Sequence, residues 1–107
     1  MKCVAEVGVE QLIPAMTNDA VLTSRVQNLV TTMFPGEEID TDYRESASDD
    51  MAYLMDEIPG CYFFVGSNNS EKGLDAPHHD PRFDFDERAL PRGAALMAAT
   101  VMDFLSV

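Results

Sequence analysis

The chain is 107 residues long, sets seven basic against nineteen acidic side chains, and is 46% hydrophobic. That length bounds it to at most one small domain with a modest core, and the composition excludes a disordered tail. A formal charge of -12 repels phosphate backbones, so no nucleic acid is expected as a partner.

Residues 2–12, "KCVAEVGVEQL", alternate: Cys3, Ala5, Val7 and Val9 share one face, and Lys2, Glu6 and Glu10 the other. This is the period of a half-buried strand. "IPAMTND" breaks it, and Thr17, Asn18 or Asp19 can cap a helix. Leu22, Val26, Leu29, Val30 and Met33 then fall at helical spacing until Pro35-Gly36 stops the helix. Nine of the nineteen acids lie between Glu37 and Glu57, a run whose plain meaning is a solvated face. A second helix is expected from Ser48, with Ser48 as cap and Asp49 and Asp50 in the first turn. Met51, Leu54, Met55 and Ile58 form its apolar stripe, and Pro59-Gly60 ends it.

"CYFFV", Cys61–Val65, suits a strand buried on both faces, as in a parallel sheet. A polar loop follows from Gly66 to Phe85, and Asp86 is expected to cap a last helix. Its face carries Leu90, Ala94, Met97, Ala98, Val101 and Leu105, and Pro91 sits near its first turn. The order is α/β, yet a buried parallel strand needs neighbours that the rest of the chain does not provide.

No apolar run reaches the ~18 residues of a membrane span, and glutamates stand where a signal peptide needs its apolar region. The expectation is a soluble, cytoplasmic chain with no membrane partner. Cys3 and Cys61 match no paired-cysteine spacing and read as two small buried hydrophobes in a reducing compartment.

Both histidines lie in the loop, in "DAPHHDPRFDFDE". In open α/β sheets, ligand sites form in the loops that leave the carboxyl ends of strands, and structureless loops beyond ~12–15 residues are usually functional or disordered. Pro77 and Pro81 bias Ala76 and Asp80 toward extended backbone. Neighbours in an extended chain point opposite ways, so one of His78 and His79 at most faces a given ion. From the residues alone, a solvated turn stands beside a metal ligand, with no second ligand at a recognisable spacing.

The segment "SDDMAYLMDEIPGCYFFVGS…DAPHHDPRFDFDERALPRGAALMAAT" resembles the C-terminal end of the metal-dependent amidohydrolases. That family includes hippurate hydrolase, N-acyl-amino-acid amidohydrolases, plant auxin-conjugate hydrolases, and related carboxypeptidases and aminoacylases. The resemblance lies in Ser48, Asp49 and Asp50 at a helix start, in "PGCYFFVGS", in the histidine loop running into Phe83–Asp86, and in "ALPRGAALMAA" as a last helix. "IPAMTNDAVLTSRV" is similar to the return from the family's lid domain to its catalytic domain.

The resemblance implies residues 1–14 as the last strand of the lid (dimerisation) domain. It implies 15–107 as the C-terminal part of a three-layer, zinc-peptidase-like catalytic domain. It further implies a divalent metal, zinc by preference, with manganese, cobalt or nickel also suited to imidazole. His79, in His79-Asp80-Pro81, stands at the metal-ligand position, and His78 matches it less well. Asp49 and Asp50 are candidates for supporting the site, against their plainer role as first-turn acids. Asn68 and Asn69 are candidates for touching substrate, against their plainer role in a turn.

The family's other ligands and its general-base glutamate lie in an N-terminal half without counterpart here, and the pair Glu37-Glu38 lacks the surroundings of that glutamate. A catalytic zinc takes about three protein ligands plus water, so the expectation is no catalytic residue in this chain and no activity alone. In the complete enzyme the substrate would be an N-acyl amino acid or a peptide-like amide. The alternatives are a standalone binding or assembly module, dimerising through the strand at 2–12, and a split enzyme completed by an N-terminal partner chain. The sequence is equally compatible with Met1 as a true start and as an internal methionine.

Overall fold

The computed structural model describes residues 2–106; Met1 and Val107, which end the two expected segments, lie outside them. Helix α1 spans Ala20–Met33, with extended Asp19 before it. The Asp19 carboxylate accepts the Leu22 amide at 2.9 Å, satisfying one of the first-turn donors that a helix leaves without a partner. Asp19 is thus the cap among the three expected candidates. Val26 is buried, and Leu22, Leu29, Val30 and Met33 are half-buried, so the expected stripe faces inward. Pro35 and Gly36 end the helix, with Gly36 at a φ of 92°, where a side chain would be strained.

Helix α2 spans Met51–Glu57, a shorter element than the sequence suggests. Ser48 is not its cap: the Met51 amide donates to the Asp49 carboxylate at 2.8 Å, an ionised acceptor stronger than a hydroxyl. Ala52 is buried and Met51 and Met55 are half-buried, but Leu54 and Ile58 of the expected stripe are exposed. Gly60 follows because a Cβ there would fall 2.8 Å from Met55 Cγ.

Helix α3 spans Ala89–Leu105 and packs against α1, with Pro91 tolerated in its first turn. Its inward face is not the expected one. Leu96 is buried, with Ala89, Gly93, Ala99, Thr100 and Asp103 half-buried beside it, whereas Leu90, Met97, Val101 and Leu105 are exposed. The helix is apolar nearly all round, a pattern that belongs to helices covered on more than one side. Arg25 of α1 ties the pair together, donating to the Asp103 carboxylate and to its carbonyl at 2.8 Å each. Its guanidinium also lies 5.3 Å from the centre of the Phe104 ring.

Neither expected strand forms a ladder. The one β-bridge among the described residues joins Asn69 to Leu74. Residues 2–12 are exposed throughout, Val4 at 99%, and Cys3 is exposed rather than buried. Alternation selects extended backbone, but a strand also needs a neighbour to receive its backbone bonds, and the chain supplies none. The buried hydrophobic core is correspondingly small: Val26, Ala52 and Leu96 among the described residues. The radius of gyration is 18.4 Å, against about 13 Å for a compact domain of this size. The three-layer arrangement and the lid strand are therefore not formed among the described residues.

Candidate functional site

The histidine loop stands on a buried base. Asp86 is 6% exposed and its carboxylate gathers three side chains. Arg88 reaches it through Nη2 at 2.7 Å and Nε at 3.0 Å, Lys72 Nζ lies 3.3 Å away, and the Asn69 amide donates to it. The Arg88 guanidinium first, then the Asn69 amide, hold this carboxyl well below the usual carboxylate range, because each bond favours the charged form. The backbone closes around the same point: the Asp86 amide donates to Ser67 O, and Asn69 and Leu74 exchange two backbone bonds of 2.9 Å. Asp86 also accepts the Arg88 amide on its side chain and the Ala89 amide on its carbonyl. Asp86 thus bonds the first amides of α3, but it stands two residues before the cap position at Arg88 and is not itself the expected cap.

Above the base, the Asp80 amide donates to Pro77 O at 3.0 Å and the Phe83 amide to Asp80 O at 2.9 Å, two consecutive turns. His79 occupies the third position of the first turn with a φ of 69°, the positive value that a type II turn demands there. The chain is therefore not extended between the histidines, and the expectation that they point apart is corrected: their rings lie 4.8 Å apart. His78 packs against the Phe83 ring at 4.9 Å, and both imidazoles are exposed. Arg82 grips Asp80 by Nε at 3.0 Å and Nη2 at 3.1 Å, which holds the Asp80 carboxyl below its usual range. Asp80 is thus occupied by a cation, and the imidazoles remain the donors that the turn presents.

The other candidates have local partners. Asp49 caps α2 on one oxygen and accepts the Tyr62 hydroxyl on the other at 3.2 Å; burial, then this bond, push the Tyr62 phenol up. Asp50 is exposed and makes no side-chain bond to the helix it precedes. Asn68 is exposed and accepts from Ser70 Oγ at 3.3 Å, a turn contact. The structure does not gather these side chains around His79: among the described residues, no three of His, Cys, Asp or Glu are placed to hold a metal ion.

Nothing in the sequence marks Asn69, Lys72 and Arg88 as partners of Asp86, or Asn18, a cap candidate only, as the partner of Tyr62. The Asn18 side chain donates to Tyr62 O and accepts the Tyr62 amide, both at 2.8 Å. The two residues stand 44 apart in the chain, so no local pattern singles out the pair.

Among the described residues, helices frame an extended segment, Cys61–Val65, that leads into the imidazole-bearing loop. The chain belongs to Peptidase family M20/M25/M40, which it matches over residues 4–103. It is similar to thermostable carboxypeptidase 1 of Saccharolobus solfataricus, at 27% identity over 89% of this chain and 23% of that protein. It is similar to the putative amidohydrolase YhaA of Bacillus subtilis, at 28% over 85% and 22%. The IAA-amino acid hydrolase ILR1-like 5 of Arabidopsis thaliana is 30% identical over 86% of this chain and 21% of its own. The chain thus spans under a quarter of the length of these relatives. No solved structure matches it. No helix among the described residues is long and apolar enough to cross a membrane.

Proposed function

We propose that this chain is the C-terminal wall of a metal-dependent amidohydrolase and supplies one metal ligand, His79. One observation carries the assignment: His79 is an exposed imidazole at a positive φ, a costly conformation for a side chain and one that clusters at functional sites. The turn closed by the Asp80 amide on Pro77 O lowers the entropy lost when the imidazole binds. The donors present fit one ligand of a zinc site and not a whole one, since a hydrolytic zinc needs about three protein ligands. When bound, the metal would make its water a nucleophile at neutral pH; zinc is the first candidate, with manganese, cobalt and nickel compatible. The remaining ligands and the general base belong to the part of the relatives that this chain does not span, so the chain alone hydrolyses nothing.

The names of the relatives, a carboxypeptidase, an amidohydrolase and an IAA-amino acid hydrolase, support N-acyl amino acids or peptide-like amides as substrates. Residues 1–14 belong with the lid domain and 15–107 with the catalytic domain in this reading, and the unpaired thiols Cys3 and Cys61 suit a cytoplasmic setting.

The test fuses the chain behind the preceding segment of the Bacillus subtilis relative and loads the product with zinc. Hydrolysis of an N-acyl amino acid is expected. His79→Ala lowers zinc affinity by about 100-fold or more, while His78→Ala changes it only a few-fold; equal loss in both, or none in either, defeats the assignment. The exposed segment 2–12 favours a second use, as an assembly module. A defined dimer in light scattering that disappears when 2–12 is deleted would support that use.

A further inference from the structure

Every polar group of Asp80, the residue after His79, is engaged. Its amide donates to Pro77 O at 3.0 Å, and its carbonyl accepts the Phe83 amide at 2.9 Å. Its carboxylate accepts three more bonds, all from Arg82: the amide at 2.8 Å, Nε at 3.0 Å and Nη2 at 3.1 Å. The Asp80 side chain is only 21% exposed, although that of Arg82 is 81% exposed. Accepting a nearby backbone amide is what aspartate commonly does in a turn. Three features give this residue a further part.

The first is strain. His79 holds a φ of 69°, which crowds its Cβ against the backbone. His79 is exposed, so no packed core enforces that angle. The bonds that close the turn do so, and they meet at Asp80.

The second is the row of rings. The Phe83 amide is tied to Asp80 O, and the Phe83 ring lies 4.9 Å from that of His78. The His78 ring in turn lies 4.8 Å from that of His79. One residue therefore sets both the backbone of His79 and the neighbours of its ring.

The third is competition. A carboxylate is itself a zinc ligand, and this one is adjacent to the imidazole in the chain. The planar guanidinium of Arg82 occupies both of its oxygens, a geometry that an ammonium could not match. The imidazole is left as the donor.

We propose that Asp80 is a positioning residue for His79: clamped by Arg82, it holds the left-handed turn that presents the imidazole to the metal, and it does not touch the metal itself. This rests on the hydrolase reading above and gives a role to a residue outside the ligand set.

The turn is read by NMR in the full chain without metal, from the one-bond Cα–Hα coupling of His79, which separates positive from negative φ. Zinc affinity is read in the fused protein described above. Asp80→Ala is expected to move the coupling toward its negative-φ value. It also lowers zinc affinity by about tenfold or more, the effect of removing a group that orients a ligand. Asp80→Asn keeps a side-chain oxygen for the Arg82 amide and Nε, so it restores the coupling and most of the zinc affinity. Unchanged amide exchange at Asn69 and Leu74, whose mutual bonds lie outside the turn, shows that each variant remains folded.

A loss of zinc affinity in Asp80→Asn equal to that in Asp80→Ala overturns the proposal, because the carboxylate charge would then be acting on the metal directly. An unchanged coupling in Asp80→Ala overturns it as well. Where His79→Ala lowers zinc affinity and Asp80→Ala does not, the positioning role falls and the hydrolase reading stands. Where His79→Ala has no effect, the ligand assignment itself falls and takes the positioning role with it.

Discussion

The loop between Val65 and α3 has two halves built on opposite principles. From Ser67 to Leu74 the loop is tied to one buried point: Asn69 and Lys72 bond the buried Asp86, and Asn69 and Leu74 zip the backbone together. From Asp75 to Phe83 the side chains are mostly turned outward, with both imidazoles exposed and the Arg82–Asp80 pair on the surface, Arg82 at 81% exposure. A buried carboxylate must be neutralised by cations and donors or it destabilises the fold; a surface pair contributes little. Stability therefore resides in the first half, and the second presents the imidazole proposed as a metal ligand. The difference explains how an exposed turn can hold a strained backbone angle without a core of its own.

Removing Asp86 should break the comparison most severely. Asp86→Ala removes the common acceptor of Arg88, Lys72 and Asn69; Arg88 and Lys72, 74% and 56% exposed, rehydrate, so the loss falls on the half-buried Asn69 and on the loop it closes. Backbone exchange at Asn69 and Leu74 is expected to accelerate by about tenfold or more, with the loop becoming sensitive to proteolysis. The Phe83 amide, bonded within the second half, should change far less. Equal acceleration in both halves would show a single cooperative loop.

How much of this was legible in the sequence differs from element to element. Helix α1 was readable because its apolar residues keep one period, Asp19 is a strong cap, and Pro35-Gly36 is a strong stop. Helix α3 was readable as a helix but not in orientation. With apolar side chains on almost every face, its sequence does not say whether Leu96 or Met97 turns inward, and packing against α1 decides for Leu96. The segments 2–12 and Cys61–Val65 carried strand patterns without ladder partners, and pattern alone cannot supply a neighbour. His79 was legible as a candidate through its position between prolines and its family resemblance. Its left-handed backbone was not, because only the turn through Pro77 and Asp80 imposes it. The Asp86 hub was half legible: the sequence marks the start of α3, but bonds across 14 and 17 residues to Lys72 and Asn69 leave no local trace.

Acid should weaken the two halves unequally. The carboxyls of Asp86 and Asp80 are both held below their usual range in the folded chain, the first by Arg88 and Asn69, the second by Arg82. A depressed folded-state pKa stabilises the fold fully above the unfolded value, near 4 for Asp. That stabilisation is lost as pH falls below it toward the folded value. The melting temperature should accordingly be flat from neutral pH to about 4 and decline below. In Asp86→Asn, which binds no proton there, the decline should be visibly shallower. Asp80→Asn should leave it nearly unchanged, because that pair is screened by solvent. A profile equally altered by both variants would place the two carboxylates in one network.

The smallest effect tests the strain at His79. Glycine adopts a φ of 69° freely, whereas a side chain there costs on the order of 1–2 kcal/mol. Part of that relief is offset, because glycine also loosens the unfolded chain. His79→Gly should then raise stability by about 0.5–1 kcal/mol, read as a higher denaturant midpoint at constant slope. In the zinc-loaded fused protein the same substitution should abolish the metal contribution of this wall. A gain in stability with a loss of metal affinity is the signature of a residue kept for its chemistry at the expense of its backbone. If His79→Gly instead destabilises the chain, the ring contact with His78 at 4.8 Å outweighs the strain. The turn would then be a packed element, and the separation of stability and chemistry between the two halves would fail at its most exposed residue.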